Sequence, residues 1–281
     1  MPKARLCASN ASGWGDNMSR LLIQLGFFLL QNPFLHNFFS GRIYQGELKS
    51  FCTPGLNCYS CPAAAFSCPI GAAQMFFSGA RHTMSLYVAG FLLSVGVIFG
   101  KFICGFVCPF GLLQDLLYRI KTPKIITRLR FLKYVKYAVL AIFVVMLPMF
   151  FTNLPWFCAY ICPSGTIFAA VPLLGANDFL RDQIGGQFIL KAIIAAGVLI
   201  LSVFILRIFC RVLCPLGAIY GLFNRIAVLR MRCDKKKCTG CKRCNKACHV
   251  KIEPAANSPE CFRCGNCVKA CEEGALSCSR E

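Results

Sequence analysis

Charge is scarce in this chain of 281 residues. Only 15% are Asp, Glu, Lys or Arg, against about 25% in a soluble globular protein, which argues against an ordinary soluble fold. There is no C-x-x-C-H, no G-x-G-x-x-G and no flavin-attachment sequence. A c-type haem, a dinucleotide or a flavin must therefore belong to another chain. The opening stretch MPKARLCASNASGWGDN has no apolar core ahead of its small residues, so no cleavable signal peptide is expected.

What is present is apolar: 57% of the residues, with a mean hydropathy of +0.59. These residues gather in four blocks, about 18–39, 84–103, 134–151 and 188–209. Each is near the roughly 20 residues that cross about 30 Å of hydrocarbon. Lys101 stands near the end of the second block, and Lys191 and Arg207 near the two ends of the fourth, where long stems can snorkel. The first block is interrupted by Gln24, Gln31, Asn32, Pro33 and His36. The expectation is four transmembrane helices in contact with lipid.

Loop charge gives the orientation. Arg119, Lys121, Lys124, Arg128, Arg130, Lys133 and Lys136 crowd between blocks two and three. Lys3, Arg5 and Arg20 precede or open block one, and the tail is strongly basic. The loop 152–187 carries only Arg181, and the loop 40–83 only Arg42, Lys49 and Arg81. Both termini and the middle loop are therefore expected on the cytoplasmic side of a cytoplasmic membrane, with residues 40–83 and 152–187 on the other side.

The chain has 21 cysteines. Its tail reads CTGCKRCNKAC from Cys238 and CFRCGNCVKAC from Cys261, each C-x2-C-x2-C-x3-C. That run is the ligand pattern of a bacterial two-cluster ferredoxin, whose fourth cysteine crosses to the other cluster. It assigns Cys238, Cys241, Cys244 and Cys271 to one [4Fe–4S] cluster, and Cys261, Cys264, Cys267 and Cys248 to the second. Zinc also takes C-x2-C pairs, but two pairs per site rather than triplets with a distant fourth. The proline that usually follows the fourth cysteine is replaced by His249 and Glu272.

Blocks two and four both run into C-x3-C-P-x-G, at Cys104–Gly111 and Cys210–Gly217. Two cysteines make half a thiolate site, so Cys104, Cys108, Cys210 and Cys214 together complete an inner cluster site. A proline at the first helical position lacks only an N–H that would be unpaired anyway. The helix that it starts aims free N–H groups at an anionic cluster. The signature recurs in the two far-side loops, as FCAYICPSG with Cys158 and Cys162, and as NCYSCPAAAFSCPIG with Cys58, Cys61 and Cys68. The chain thus reads as two parallel pseudo-repeats around an axis along the membrane normal. An outer site is expected from Cys61, Cys68, Cys158 and Cys162, with Cys58 in reserve. A far-side disulfide such as Cys52–Cys58, or a zinc site, is the alternative there. Four sites use 16 cysteines and leave Cys7, Cys52, Cys58, Cys233 and Cys278 outside them.

The fold class is therefore an all-α membrane domain over residues 1–229, with an α+β bacterial 2[4Fe–4S] ferredoxin-like domain over 230–281. The C-x3-C-P motifs after apolar helices, followed by a two-cluster tail, resemble the NapH/NosR-type membrane polyferredoxins from about Arg20 to the C-terminus. The resemblance implies a transmembrane electron-transfer subunit of anaerobic respiration. It would join a soluble cytoplasmic redox carrier or quinol to an extracytoplasmic partner, either a flavoprotein or a terminal reductase. Two other functions compete. A quinol dehydrogenase could line a quinone pocket with Gln24, Gln31, Asn32 and His36, or those residues could simply pack against neighbouring helices. A redox sensor or metallocentre-assembly factor is the third reading. The lysines of CDKKKCTGCKRCNKAC read as cluster counter-charge and as steering for an acidic redox partner, not as a nucleic-acid surface.

Overall fold

A computed structural model describes residues 15–78, 83–125, 131–151, 154–253 and 257–279. Lys3, Arg5, Cys7, Arg81, Arg128 and Arg130 lie outside the described residues. The four apolar blocks fold as helices Gly15–Gln31, Thr83–Phe99, Leu132–Phe150 and Gly186–Phe204. The first two have 17 residues each, fewer than the sequence suggests. Asn32 precedes Pro33, whose ring drives the preceding residue out of the helical region. Gly100 adopts φ +51° and ends the second helix ahead of Lys101. In the third, residues Leu140–Met146 are π-helical, just before Pro148, which has no N–H for Val144.

The helices Leu132–Phe150 and Gly186–Phe204 are long and apolar enough to cross a membrane, with mean hydropathies of 1.7 and 2.2. Only 22% and 17% of their residues are buried within the chain. The core helix of a soluble protein would be mostly covered. Here Phe150, Ile193 and Ile200 face outward instead. Gly15–Gln31 and Thr83–Phe99 contain the shorter apolar stretches Ser19–Gln31 and Leu86–Phe99.

Between and after these lie short helices that each begin at a Cys-Pro: Pro69–Phe77, Pro109–Tyr118, Pro163–Ala176 and Pro215–Phe223. Strands Arg230–Cys233 and Leu276–Ser279 pair antiparallel, Arg230 opposite Ser279 and Cys233 opposite Leu276. They close a small α+β unit with one-turn helices Arg243–Lys246 and Asn266–Lys269.

This unit is packed against the helices. Arg263 donates to the carbonyls of Phe99 at 2.7 Å and Asn224 at 2.9 Å. Asn224 donates to Ser258 and Cys261 carbonyls at 2.7 and 3.0 Å. Glu260 takes up both Lys101 and Lys136. At Gly105 a Cβ would stand 2.7 Å from the Phe262 carbonyl oxygen, so the two backbones meet only because that residue is glycine. A second buried knot joins Asp115 to Arg207 and to Arg20, the last at 2.8 Å. Arg207 sits at φ +52° and also donates to the carbonyls of Cys104 and Gly105.

Candidate iron–sulfur sites

One local turn recurs at all three C-x3-C-P motifs. The second cysteine donates its N–H five residues back, to the residue before the first cysteine: Cys108 to Ile103 at 3.1 Å, Cys162 to Phe157 at 2.9 Å and Cys214 to Phe209 at 2.9 Å. Cys68, Cys108, Cys162 and Cys214, each before a proline, are all extended, with ψ between 109° and 127°, as a following proline requires. The glycine of the motif has its own cause. A Cβ at Gly111 would stand 2.8 Å from the Cys104 carbonyl oxygen, and one at Gly217 would stand 2.7 Å from that of Cys210.

These turns bring Cys104, Cys108, Cys210 and Cys214 together, all buried and within electrostatic reach of one another. Leu56 N donates to Cys108 Sγ and Gly217 N to Cys214 Sγ, each at 3.4 Å. Leu56 belongs to the loop expected on the far side. That loop reaches into the bundle instead of staying at a surface.

The second set is Cys58, Cys68, Cys158 and Cys162. Cys58, the reserve, is the thiol that joins it. Cys61 packs with Ala63 and Ala64 and against Cys58, its Sγ 3.9 Å from Asn32 Oδ1. Both Cys61 and Cys68 precede a proline, but only Pro69 begins a helix; Pro62 lies in a turn. Cys52 and Cys58 are free thiols, so the alternative disulfide is not formed. Lys49 and Lys191 stand beside this set.

The tail brings together the two sets that the spacing assigns. Cys238, Cys241, Cys244 and Cys271 line a cleft of about 430 Å³, with Cys233 beside them. Cys248, Cys261, Cys264 and Cys267 form the other group. Left-handed residues fall at matching places in both runs: Gly240 and Arg263 before the second cysteine, Lys242 and Gly265 after it, and Lys251 and Gly274 three beyond the fourth. Such conformations are unfavourable for side-chain-bearing residues. Their repetition shows one loop geometry built twice.

Three observations test whether these residues fit a cubane. Among the described residues no three His, Cys, Asp or Glu side chains are close enough to share one metal ion. A single tetrahedral ion would hold thiolates about 3.7 Å apart, whereas a cluster spreads its four thiolates over several irons. Lys49, Lys101, Lys136, Arg207 and Arg263 are buried, while the carboxylates paired within this interior are Asp115 and Glu260. Buried cations need partners, and a cubane with four thiolates carries roughly −2. Finally, burial pushes the Cys261 thiol up to about 11 and Cys267 to about 12. Ionised sulfur there requires a cationic centre. At Glu260 burial pushes the carboxyl up, but Lys101 and Lys136 outweigh it and hold the group below its usual range. The residues fit [4Fe–4S] clusters.

The candidate quinone-lining residues have other partners. Gln24 donates to Gly105 O and Asp115, both at 2.9 Å. Gln31 donates to Val107 O at 2.9 Å and accepts from Thr53 at 2.7 Å. Asn32 donates to Phe28 O and accepts from Asn57. His36 is exposed, edge-on to Phe34.

Thiol sets of this kind, on these loops, define an iron–sulfur protein of the ferredoxin type. Residues 81–128, 136–177 and 188–233 each match the family described as the 4Fe-4S binding domain, one C-x3-C-P motif in each. The uncharacterized protein MJ0750 of Methanocaldococcus jannaschii is 30% identical over 194 residues, 65% of this chain and 74% of that one. The putative electron transport protein YccM of Escherichia coli is 25% identical over 209 residues, 68% of this chain and 54% of YccM. The ferredoxin-type protein NapH of Escherichia coli is 28% identical over 106 residues, 31% of this chain and 37% of NapH. The chain belongs to the NapH-type polyferredoxins. No solved structure matches it significantly.

Proposed function

We propose that the chain is a membrane electron-transfer subunit with four [4Fe–4S] sites, two in the tail and two in the helical domain. When bound, such clusters supply one-electron carriers. The observation that carries this reading is one continuous buried core running from the tail to Cys68 and Cys162. Cys248, Cys261 and Phe262 pack against the same core as Cys104, Cys108, Cys210 and Cys214. Beyond these, Phe209, Phe110 and Phe168 stack edge to face, with centroids 5.0 and 6.4 Å apart. Buried Tyr220 lies within electrostatic reach of Cys104, Cys108 and Cys214 and also of Cys68. The sites would thus follow in one order: Cys238/241/244/271, Cys248/261/264/267, Cys104/108/210/214, then Cys58/68/158/162.

Exposure supports the first set as the entrance or exit for a soluble partner. Cys238 and Cys241 are exposed, among exposed Lys235, Lys236, Lys237, Lys242 and Lys246. A soluble carrier with an acidic face suits that surface. A redox partner on the other face of a cytoplasmic membrane would exchange electrons near Cys58. Four spans in two parallel halves, with both ends of the chain cytoplasmic, complete the proposal. Arg20 near the start of the first helix pairs with Asp115 and stands near His249 and Cys264, which supports a shared side for the N-terminal helix and the tail. A Cβ at Gly41 would meet Asn177 Nδ2 at 2.6 Å, so the two loops proposed for the opposite side touch.

Metal analysis tests the reading. Iron and acid-labile sulfide should each be about 16 per chain. About eight would leave only the tail clusters and refute the two membrane sites. A reporter fused after Glu281 should be cytoplasmic, and one inserted at Gly175 external.

A further inference from the structure

The stretch C-P-x-G-x-x-Q occurs twice, from Cys68 to Gln74 and from Cys108 to Gln114. Both glutamines are buried, 1% and 0% exposed, and both make the same cross-chain clamp. Gln74 Oε1 accepts the backbone N–H of Phe157 at 2.9 Å, and its Nε2 lies 3.2 Å from Cys158 Sγ. Gln114 Oε1 accepts the N–H of Phe209 at 3.2 Å, and its Nε2 lies 3.2 Å from Cys210 Sγ. The amide cannot be turned over. A backbone N–H demands the oxygen, so the NH2 group must face the sulfur. That NH2 group also reaches the carbonyl four residues back, Ile70 or Phe110, which holds it in place. The other two Cys-Pro helices carry Phe168 and Tyr220 at the corresponding position. The clamp therefore always reaches from the first half of the chain to the first cysteine of a C-x3-C in the second half.

We propose that Gln74 and Gln114 are positioning residues that donate hydrogen bonds to the ligand sulfurs of the two membrane clusters and raise their reduction potentials. A donor to a thiolate forms a charge-assisted bond. The reduced cluster holds one more negative charge, so the donor favours it more than the oxidised form. Hydrogen bonds to sulfur are among the terms that set cluster potential. The inference rests on the membrane sites being loaded as proposed above.

The test uses full-length, cluster-loaded protein and a redox titration followed by electron paramagnetic resonance. Gln114→Leu should shift to lower potential only the signal that Cys214→Ser abolishes. Gln74→Leu should shift only the signal that Cys68→Ser abolishes. Gln114→Glu keeps an oxygen for the Phe209 N–H and should still lower the potential, whereas a purely structural role would be rescued by it. Wild-type protein labelled with ¹⁵N in the glutamine side-chain amide should show nitrogen coupling to both membrane signals. This measurement stands even if the leucine variants fail to hold iron. Sixteen irons with no shift and no coupling would overturn the glutamine proposal alone. Eight irons in the wild type would overturn it together with the four-site reading.

Discussion

The tail and the helical domain hold the cysteines proposed as iron ligands in opposite ways. In the tail all eight proposed ligands lie within residues 238–271, on loops whose left-handed positions repeat. In the helical domain each thiol set draws from stretches some hundred residues apart, Cys104 with Cys210 and Cys58 with Cys162. The first arrangement is a local geometry that closes on itself. The second exists only when tertiary packing is complete, so its sites and its fold must stand or fall together.

The sharpest break of that comparison is a single ligand. Cys104→Ser and Cys214→Ser should each lose the same spectroscopic signal and about four of 16 irons, with the double variant no worse than either. The tail signals should survive. Loss of different signals by the two variants would end the shared-site view. Next in size is Asp115→Asn, which leaves Arg207 buried without its carboxylate. Stranding one partner of a buried pair costs about 3–5 kcal/mol. The thermal transition of the helical domain should fall while the tail, separately followed by its clusters, is retained. An unchanged transition would show that the Asp115–Arg207 pair contributes little to that domain.

Smaller is the effect of Glu260→Gln, which removes the acceptor shared by Lys101 and Lys136. Docking of the tail should loosen, read as faster protease cleavage near residue 230 with the iron content unchanged. Equal cleavage rates would argue that Arg263 and Asn224 suffice. The smallest contrast separates two neighbours in the outer loop. Cys58→Ser should abolish the outer signal, and Cys61→Ser should leave it at full intensity. The reverse would return the site to the reading based on prolines.

That last pair shows where sequence reasoning ran out. The tail sets could be read from spacing because their geometry is local. Cys104, Cys108, Cys210 and Cys214 could be grouped because the same motif ends two apolar blocks. Cys58 could not be chosen over Cys61, because whether a proline starts a helix or a turn depends on what surrounds it. The first two helices are shorter than their apolar blocks, since Asn32-Pro33 and Gly100 stop them inside apolar sequence. Gln74 and Gln114 were visible as a repeated C-P-x-G-x-x-Q, but their partners, Cys158 and Cys210, lie 84 and 96 residues onward. The reach of Leu56 to Cys108 has no sequence signal at all.

The spread of ligands along the chain also fixes when each site can first exist during synthesis. The outer set is complete once Cys162 has been made, the inner set at Cys214, the exposed tail set only at Cys271. At about 5–20 residues per second, roughly 5–20 s separate the first of these moments from the last. In that interval a nascent chain threaded into a bilayer as proposed has finished thiol sets in its helical part and an unfinished tail. Iron delivered during translation would therefore meet the buried sites before the exposed ones. The part of the protein hardest for a soluble iron donor to reach is thus the part first ready to receive it.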